Sequence, residues 1–178
     1  MARKRGMDIA LALLLLVLLA LPMAVIALII KLSAPRSPIL FRQARVGRQE
    51  KLFTLYKFRS MDRDGRRVTP FGRVLRLTSM DELPQLFLVL TGRMSLIGPR
   101  PLIEQEERMH ALRRSAGVYQ LRPGLSGLAQ INGRDRLGEE EKAAYDRQYL
   151  EHLSFRQDAR IFLATVGKVL RQADIEQK

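Results

Sequence analysis

The chain opens with a long apolar segment, and polar and apolar positions are interleaved in the rest of the sequence. Residues 9–30 contain no charged side chain, and a helix of that length extends for about 33 Å. Because the hydrocarbon core of a bilayer is about 30 Å thick, the segment predicts a membrane helix. Its length, and the lack of a small-residue cleavage site before Lys31, argue against a cleaved signal peptide.

The path of this helix through the membrane has two interpretations. Pro22 follows Leu21 inside the apolar segment, and proline kinks a helix because it removes a backbone donor and obstructs the preceding turn. Basic residues flank the segment on both sides, so the positive-inside rule does not choose the cytoplasmic end. A kinked spanning helix and a re-entrant hairpin that breaks at Pro22 both stay open on these grounds.

The chain divides into residues 1–31, which anchor it in the membrane, and a compact domain of residues 32–178. The domain is predicted to be mainly α with minor β. A β-favouring alternation marks a strand at residues 52–58, and residues 62–67 form a polar loop. Helical spacing predicts helices over residues 81–90, 102–116, 139–153 and 158–172. The last helix is amphipathic, and its apolar stripe lies either in the core or on the bilayer surface.

Composition narrows the functional classes. The 178 residues include 31 Lys or Arg and 18 Asp or Glu, which gives a formal net charge of +13. Such a charge favours polyanionic partners, namely nucleic acid, anionic lipid or phosphorylated small molecules. The absence of cysteine excludes a disulfide scaffold, a thiolate nucleophile and a cysteine metal site. Two histidines, His110 and His152, argue against a His-rich metal site.

The most informative segment outside the membrane is SMDELPQ at residues 79–85. Ser79 followed by Glu82 matches a capping box, and Pro84 falls early in the predicted helix. Asp81 and Glu82 are therefore either favourable charges at a helix N-terminus or a functional pair. As a functional pair, the carboxylates would bind Mg²⁺, and an aspartate could attack phosphorus to form an acyl phosphate.

Three segments combine Gly, Pro and Arg: GRMSLIGPRP at residues 92–101, RPGLSG at 122–127 and NGR at 132–134. Gly and Pro form fixed turns that let the backbone approach a ligand, and Arg provides phosphate contacts. Each segment is weak evidence by itself. Their repetition favours an anionic ligand.

Taken together and in order, these segments resemble the monotopic phosphoglycosyl transferases, also called bacterial sugar transferases. The resemblance covers almost the whole chain. It is carried by Lys4-Arg5 with Asp8 before the apolar segment, and then by SPILFRQARVG (37–47), YKFRSM (56–61), DELPQ (81–85), MSLIGPRP (94–101) and RPGLSG (122–127).

The resemblance implies an activity and a location. Members transfer a phospho-sugar from a UDP-sugar to polyprenol (undecaprenyl) phosphate and release UMP, through a covalent aspartyl intermediate assisted by Mg²⁺. Their anchor is a re-entrant hairpin on the cytoplasmic face of the bacterial inner membrane, and interfacial amphipathic helices hold the catalytic domain against the lipids. The hairpin interpretation of residues 9–30 is therefore the expectation.

The resemblance also assigns residues. Asp81 matches the nucleophile and Glu82 its dyad partner, and both are the expected metal ligands. The expected substrate and phosphate contacts come from basic side chains: Lys57, Arg59, Arg76, Arg100, Arg122 and Arg134. Two positions depart from the family. Leu21 precedes Pro22 where many members have Ser, which leaves the break angle less defined, and Leu128 replaces a frequent Trp.

A second hypothesis is a membrane-tethered protein that binds nucleic acid or anionic lipid without catalysis. It explains the positive charge. It does not explain the Asp81-Glu82 pair, and the chain lacks an aromatic stacking pattern. Nucleic acid is therefore not an expected partner.

Overall fold

Helices account for most of the computed structural model, which describes residues 2–133 and 136–171. Short 3₁₀ turns at Arg48–Glu50, Met80–Gln85 and Val118–Gln120 connect the main elements. The helices, in chain order, are α1 (Ala2–Ser33), α2 (Pro70–Leu77), α3 (Leu86–Leu90), α4 (Glu107–Ser115), α5 (Leu128–Ile131), α6 (Glu139–Glu151) and α7 (Phe155–Arg171). The prediction of a mainly helical chain with minor β structure is confirmed.

Two small sheets lie within the described residues. β1 (Leu40–Val46) and β2 (Leu52–Phe58) form an antiparallel hairpin in which Leu40 pairs with Phe58 and Val46 with Leu52. β2 confirms the predicted strand. β3 (Ser95–Ile97) and β4 (Gly124–Ser126) pair in parallel and bring two of the Gly-Pro-Arg segments side by side.

Two glycines in those segments let backbone approach backbone. A Cβ on Gly98 would lie 2.4 Å from the carbonyl oxygen of Arg122, and one on Gly124 would lie 2.1 Å from the amide nitrogen of Gly98. Side chains do not fit at such distances. This close contact accounts for glycine at both positions, and the expectation that the segments approach a ligand stays a prediction.

The apolar segment forms α1, a single helix of 32 residues with Pro22 inside it. The most apolar 18-residue window within Arg3–Ser33 has a mean hydropathy of 3.2, and by length and composition this helix is able to cross a membrane. Helix geometry continues through Leu21 and Pro22. The structure thus shows no interruption of the helix at that position, and the hairpin break expected there stays a prediction.

Helix α1 packs against the rest of the chain at both of its ends. Near its start, Ala12 is fully buried in the largest apolar cluster. Near its end, Ile26 and Ile30 are buried against Phe58 and Leu75. Between these two contacts the helix presents an exposed apolar face, which includes Leu14, Val17, Leu18, Leu21 and Val25.

A buried polar network fixes the start of α1. Lys4 Nζ lies 2.6 Å from a carboxylate oxygen of Asp158 on α7, and the Tyr149 hydroxyl donates to the other oxygen of that carboxylate at 2.6 Å. Asp8 accepts a hydrogen bond of 2.8 Å from the Ser95 hydroxyl on β3. Because buried charges are costly unless they are paired, this network determines where the helix enters the fold.

Helix boundaries differ from the predictions where tertiary contacts intervene. The helix expected over residues 81–90 divides into the 3₁₀ turn Met80–Gln85 and α3. The helix expected from residue 102 begins at Glu107, because Leu102 instead accepts a backbone hydrogen bond of 2.9 Å from Val46. The predicted helix at residues 139–153 corresponds to α6, and that at 158–172 to α7, which begins at Phe155. Residue 172 lies outside the described residues.

Candidate active site

Asp81 and Glu82 lie on the 3₁₀ turn between α2 and α3. Ser79, which precedes the turn, has a left-handed backbone with φ of 55°, and its side chain makes no capping hydrogen bond. Its carbonyl oxygen instead accepts from the Glu82 amide at 3.2 Å. The predicted capping box is therefore wrong: the turn is held by backbone bonds and by the burial of Pro84 and Gln85.

Lys57 on β2 lies against both carboxylates. Its Nζ is 2.6 Å from Glu82 Oε1 and 3.9 Å from Asp81 Oδ2. The three side chains are largely buried, with 21% of Lys57, 11% of Asp81 and 17% of Glu82 exposed. At this degree of burial a charge pair is stronger than on an open surface, because less water screens it.

The environment of Asp81 sets its ionisation. Burial, and secondarily the charge of Glu82, raises the pKa of Asp81 to about 6, while Lys57 and Arg76 act in the opposite direction. At neutral pH the group is mostly a carboxylate, but one with little hydration. A poorly hydrated carboxylate next to cations has the charge and the access that a nucleophile needs.

Helix α2 positions Arg76 beside the pair. Thr69 caps the N-terminus of the helix, since its hydroxyl accepts a hydrogen bond of 2.9 Å from the Gly72 amide. Gly72 packs directly on the strand side of the site, and a Cβ there would lie 1.8 Å from the carbonyl oxygen of Ser60. Arg76 Nε then donates to the Ser60 hydroxyl at 2.9 Å.

A polar cavity of about 530 Å³ opens next to the carboxylates. Its size is typical of small-molecule sites, which run from about 300 to 1,000 Å³. Five of the predicted site residues line this cavity: Lys57, Arg59, Arg76, Asp81 and Glu82. Loop residues 60–65 form the opposite wall.

Arg45 on β1 is a candidate that the predictions did not include. It lines the polar cavity, and its guanidinium donates to the Pro101 carbonyl at 3.0 Å. Burial, followed by the charge of Arg100, lowers the pKa of Arg45. The signal was present in the sequence, since Gln43 and Arg45 alternate with solvent-facing residues and so share one face of β1.

Arg100 lies on the other side of Glu82. Both line a small cavity that also contains Arg45 and Lys57. A buried ion pair supports the loop from behind: Arg113 Nη1 donates to the Arg100 carbonyl at 2.7 Å, and Arg113 Nη2 lies 2.6 Å from Asp146.

One predicted arginine, Arg122, is not found at this site. Arg122 lines a different cavity, with Lys4 and Arg5 at the start of α1, and its Nε donates to the Gly92 carbonyl at 2.9 Å. Arg134 lies outside the described residues. The roles of both arginines stay predictions.

The carboxylate pair is the part of the site suited to a divalent cation. Within the described residues no group of three or more His, Asp or Glu side chains comes together to hold a metal ion. Mg²⁺ is commonly bound by one or two carboxylates, with the remaining positions taken by waters and substrate phosphates. Asp81 and Glu82 fit that pattern, and they do not fit a site made of protein ligands alone.

Comparisons with known proteins agree with this arrangement. The family model described as bacterial sugar transferase matches residues 1–172. The uncharacterized sugar transferase EpsL of Bacillus subtilis is 42% identical, with 79% of this chain and 74% of EpsL aligned. UDP-glucose:undecaprenyl-phosphate glucose-1-phosphate transferases of Caulobacter vibrioides and Escherichia coli are 41% and 39% identical. These alignments cover 94% and 93% of this chain, but 70% and 39% of the two relatives.

Proposed function

The chain belongs to the bacterial sugar transferase family, and we propose that it transfers a sugar phosphate from a UDP-sugar to undecaprenyl phosphate. The observation that carries this proposal is the buried Asp81 carboxylate, beside Glu82 and Lys57, at the wall of a polar cavity. The identity of the sugar is left open, because the relatives named for glucose, galactose and N-acetylgalactosamine are all similar to this chain.

In the first half-reaction, a carboxylate oxygen of Asp81 attacks the β-phosphorus of the UDP-sugar. A bond forms between that oxygen and phosphorus, and the bond from phosphorus to the oxygen bridging the two phosphates breaks. UMP leaves with the electron pair, and the phospho-sugar is held on Asp81 as an acyl phosphate. Because the pKa of Asp81 is about 6, the group is still mostly ionised at neutral pH, and the burial that raises this pKa leaves the carboxylate weakly hydrated.

Basic side chains stabilise the charge that develops on the phosphates. Lys57 is 3.9 Å from Asp81, and Arg59 and Arg76 line the cavity in which the diphosphate would lie. Preorganised cations of this kind contribute most where charge appears in the transition state. When bound at Asp81 and Glu82, Mg²⁺ would neutralise phosphate oxygens and make UMP a better leaving group.

In the second half-reaction, a phosphate oxygen of undecaprenyl phosphate attacks the phosphorus of the adduct. The bond from phosphorus to Asp81 breaks, the carboxylate is regenerated, and the product is an undecaprenyl diphosphate sugar. Arg100 lines a small cavity together with Glu82 and is not in the lining of the polar cavity, which supports a role in binding the phosphate of this acceptor.

The packing of α1 supports a monotopic arrangement on the cytoplasmic face of the bacterial inner membrane. Asp8 and Ile30 are about 33 Å apart along a straight helix, yet both are buried against the same domain. A spanning helix would carry that domain, with its charged Lys4–Asp158 pair, across the hydrocarbon core. Entry into one leaflet avoids this cost.

Exposed apolar side chains and the positive charge favour the same placement. Large apolar residues are exposed on three elements of the domain: Val74 on α2, Phe87 on α3, and Phe155, Leu163 and Val166 on α7. Side chains of this kind insert at the boundary between headgroups and acyl chains, and Lys and Arg are attracted to anionic lipid. Membrane lipids are therefore proposed as partners of the domain as well as of α1.

The function is tested with Asp81→Asn. The variant and the unchanged protein are purified in detergent and incubated with a panel of UDP-sugars and undecaprenyl phosphate, and UMP is measured. We expect turnover on at least one UDP-sugar, and a loss of more than about a thousandfold in Asp81→Asn. Glu107→Gln, at an exposed position on α4, serves as the control. Full UMP release by Asp81→Asn would reject the nucleophile.

The topology has its own test. Because the chain has no cysteine, single cysteines introduced by Gly6→Cys and Arg36→Cys report one position each. Both sites are exposed, and both should react with a membrane-impermeant thiol reagent only from the cytoplasmic side. Labelling of either one from the periplasm would reject the re-entrant arrangement.

A further inference from the structure

A second cavity lies next to the 3₁₀ turn Met80–Gln85, which carries Asp81 and Glu82 and is called the catalytic turn below. This apolar groove has a volume of about 170 Å³ and is lined by Leu15 on α1, Leu125 on β4, Ile131 on α5, and Phe162 and Val169 on α7. The groove is thus bounded by the membrane helix on one side and by the amphipathic last helix on another.

The groove meets the polar cavity at the catalytic turn. Ser79 and Glu82 line both cavities, and Arg100 lines the groove beside them. The two cavities therefore meet at Glu82, and the polar cavity has Lys57, Arg76 and Asp81 where the groove has mainly aliphatic and aromatic side chains.

The groove also has a few polar side chains. The hydroxyls of Ser126 and Thr165 lie 2.6 Å apart, and Thr165 also donates to the Ile161 carbonyl at 2.7 Å. Gln130 and Lys168 line the groove as well, and the buried amide atoms of Gln130 have no hydrogen-bond partner among the described residues. Most of the remaining wall is aliphatic or aromatic, which favours a hydrocarbon occupant over a sugar or a nucleotide.

We propose that the apolar groove binds the isoprene unit next to the phosphate of the polyprenyl phosphate acceptor. This inference rests on the proposed function and adds an acceptor subsite to it. The acceptor must bring its phosphate to the adduct on Asp81 while its hydrocarbon chain stays in the bilayer. A groove that begins at Glu82 and Arg100 and has Leu15 of the membrane helix in its wall meets both requirements.

The size of the groove limits what it recognises. An apolar cavity of about 150 Å³ takes up a benzene molecule, so about 170 Å³ accommodates roughly one five-carbon unit. The remainder of the chain would lie against lipid and the exposed face of α1. The acceptor is therefore recognised by its phosphate and first isoprene unit, and its total length matters less.

The test compares a position in the groove with one outside it. Val169 lines the groove, whereas Ala144 on α6 is exposed and lines neither the groove nor the polar cavity. Val169→Trp fills the groove, and Ala144→Trp adds bulk on the surface. Leu125→Trp is a second filling variant, on β4 instead of α7, so that the result does not depend on one element tolerating the change.

Two measurements separate the half-reactions. Exchange of labelled UMP into UDP-sugar, without any lipid acceptor, reports the first half-reaction alone. Complete turnover with increasing undecaprenyl phosphate gives the KM of the acceptor. We expect both filling variants to keep exchange within about twofold and to raise the acceptor KM by about tenfold or more, which is the effect of disturbing an apolar contact of this size. Ala144→Trp should leave both quantities unchanged.

The outcomes distinguish this inference from the proposed function. If the unchanged protein catalyses exchange, and the acceptor KM of both filling variants equals that of Ala144→Trp, the groove is not the acceptor subsite, although the function stands. The same conclusion follows if the filling variants alter only the amount of co-purifying phospholipid, since a membrane acyl chain would then be the occupant. If the unchanged protein shows no exchange with any UDP-sugar, the proposed function itself fails.

Discussion

Replacing Lys57 by Met removes the positive charge that lies between the two carboxylates. Its Nζ is 3.9 Å from Asp81 Oδ2, and both side chains are at least about four-fifths buried. With an effective dielectric constant of about 20, two unit charges at that distance interact by about 4 kcal/mol, which is an upper bound because water and Arg76 compensate in part. A third of that amount already corresponds to about a tenfold change in an equilibrium constant.

The loss should appear as a change in pH dependence. Without Lys57, protonation of Asp81 becomes more favourable, so the pKa of Asp81 rises above its present value of about 6. Only the carboxylate attacks phosphorus, and the rate of UMP exchange therefore falls as the pH decreases through this pKa. For Lys57→Met we expect the acid limb of kcat/KM for the UDP-sugar to move to higher pH, with a loss of about tenfold or more at pH 7 that narrows by pH 9.

The assay is UMP exchange without lipid acceptor, measured from pH 5 to 9. Lys51→Met is the matched control, because Lys51 is exposed and lies just before β2. An equal loss at every pH, with an unmoved acid limb, would show that Lys57 binds substrate without tuning Asp81, and the reasoning from charge would be refuted.

Two further predictions concern the support of the site. Gly72→Ala should lower the free energy of unfolding by about 3 kcal/mol, since a Cβ 1.8 Å from a carbonyl oxygen forces the backbone apart; Gly167→Ala, with open space around it, should not destabilise, and thermal unfolding in detergent compares the two. Asp146→Asn leaves the buried Arg113 without its carboxylate and should cost about 3 kcal/mol. Because Arg113 also donates to the Arg100 carbonyl, the same variant should raise the KM of undecaprenyl phosphate. An unchanged Tm and an unchanged KM would contradict this supporting role.

Local sequence patterns predicted the elements whose structure depends on local rules. The strand at residues 52–58 follows from alternation and the helix α6 from helical spacing, and both are confirmed. The long apolar helix follows from hydropathy alone. The capping box at Ser79 failed because the backbone there is left-handed, a conformation imposed by packing between α2 and the catalytic turn.

The site depended on contacts between residues far apart in the sequence. Lys57 meets Glu82 across 25 positions, and no periodicity indicates that pairing. The resemblance to a family identified both residues, but their geometry came from the hairpin packing on the turn. Similarly, the sequence predicted that Gly98 and Gly124 let the backbone approach a ligand. In the structure, the parallel pairing of β3 and β4 places the backbones of these two glycines in contact with each other.

The central claim is a covalent phospho-sugar on Asp81, and intact-protein mass spectrometry tests it directly. The protein is incubated with its UDP-sugar in the absence of lipid acceptor, quenched and weighed, and then digested to locate any added mass. The account predicts an increase equal to one phospho-sugar, on the peptide that contains Asp81, which disappears when undecaprenyl phosphate is added. Release of UMP on adding acceptor, with no adduct at any time before it, or an adduct on another residue, would contradict the account.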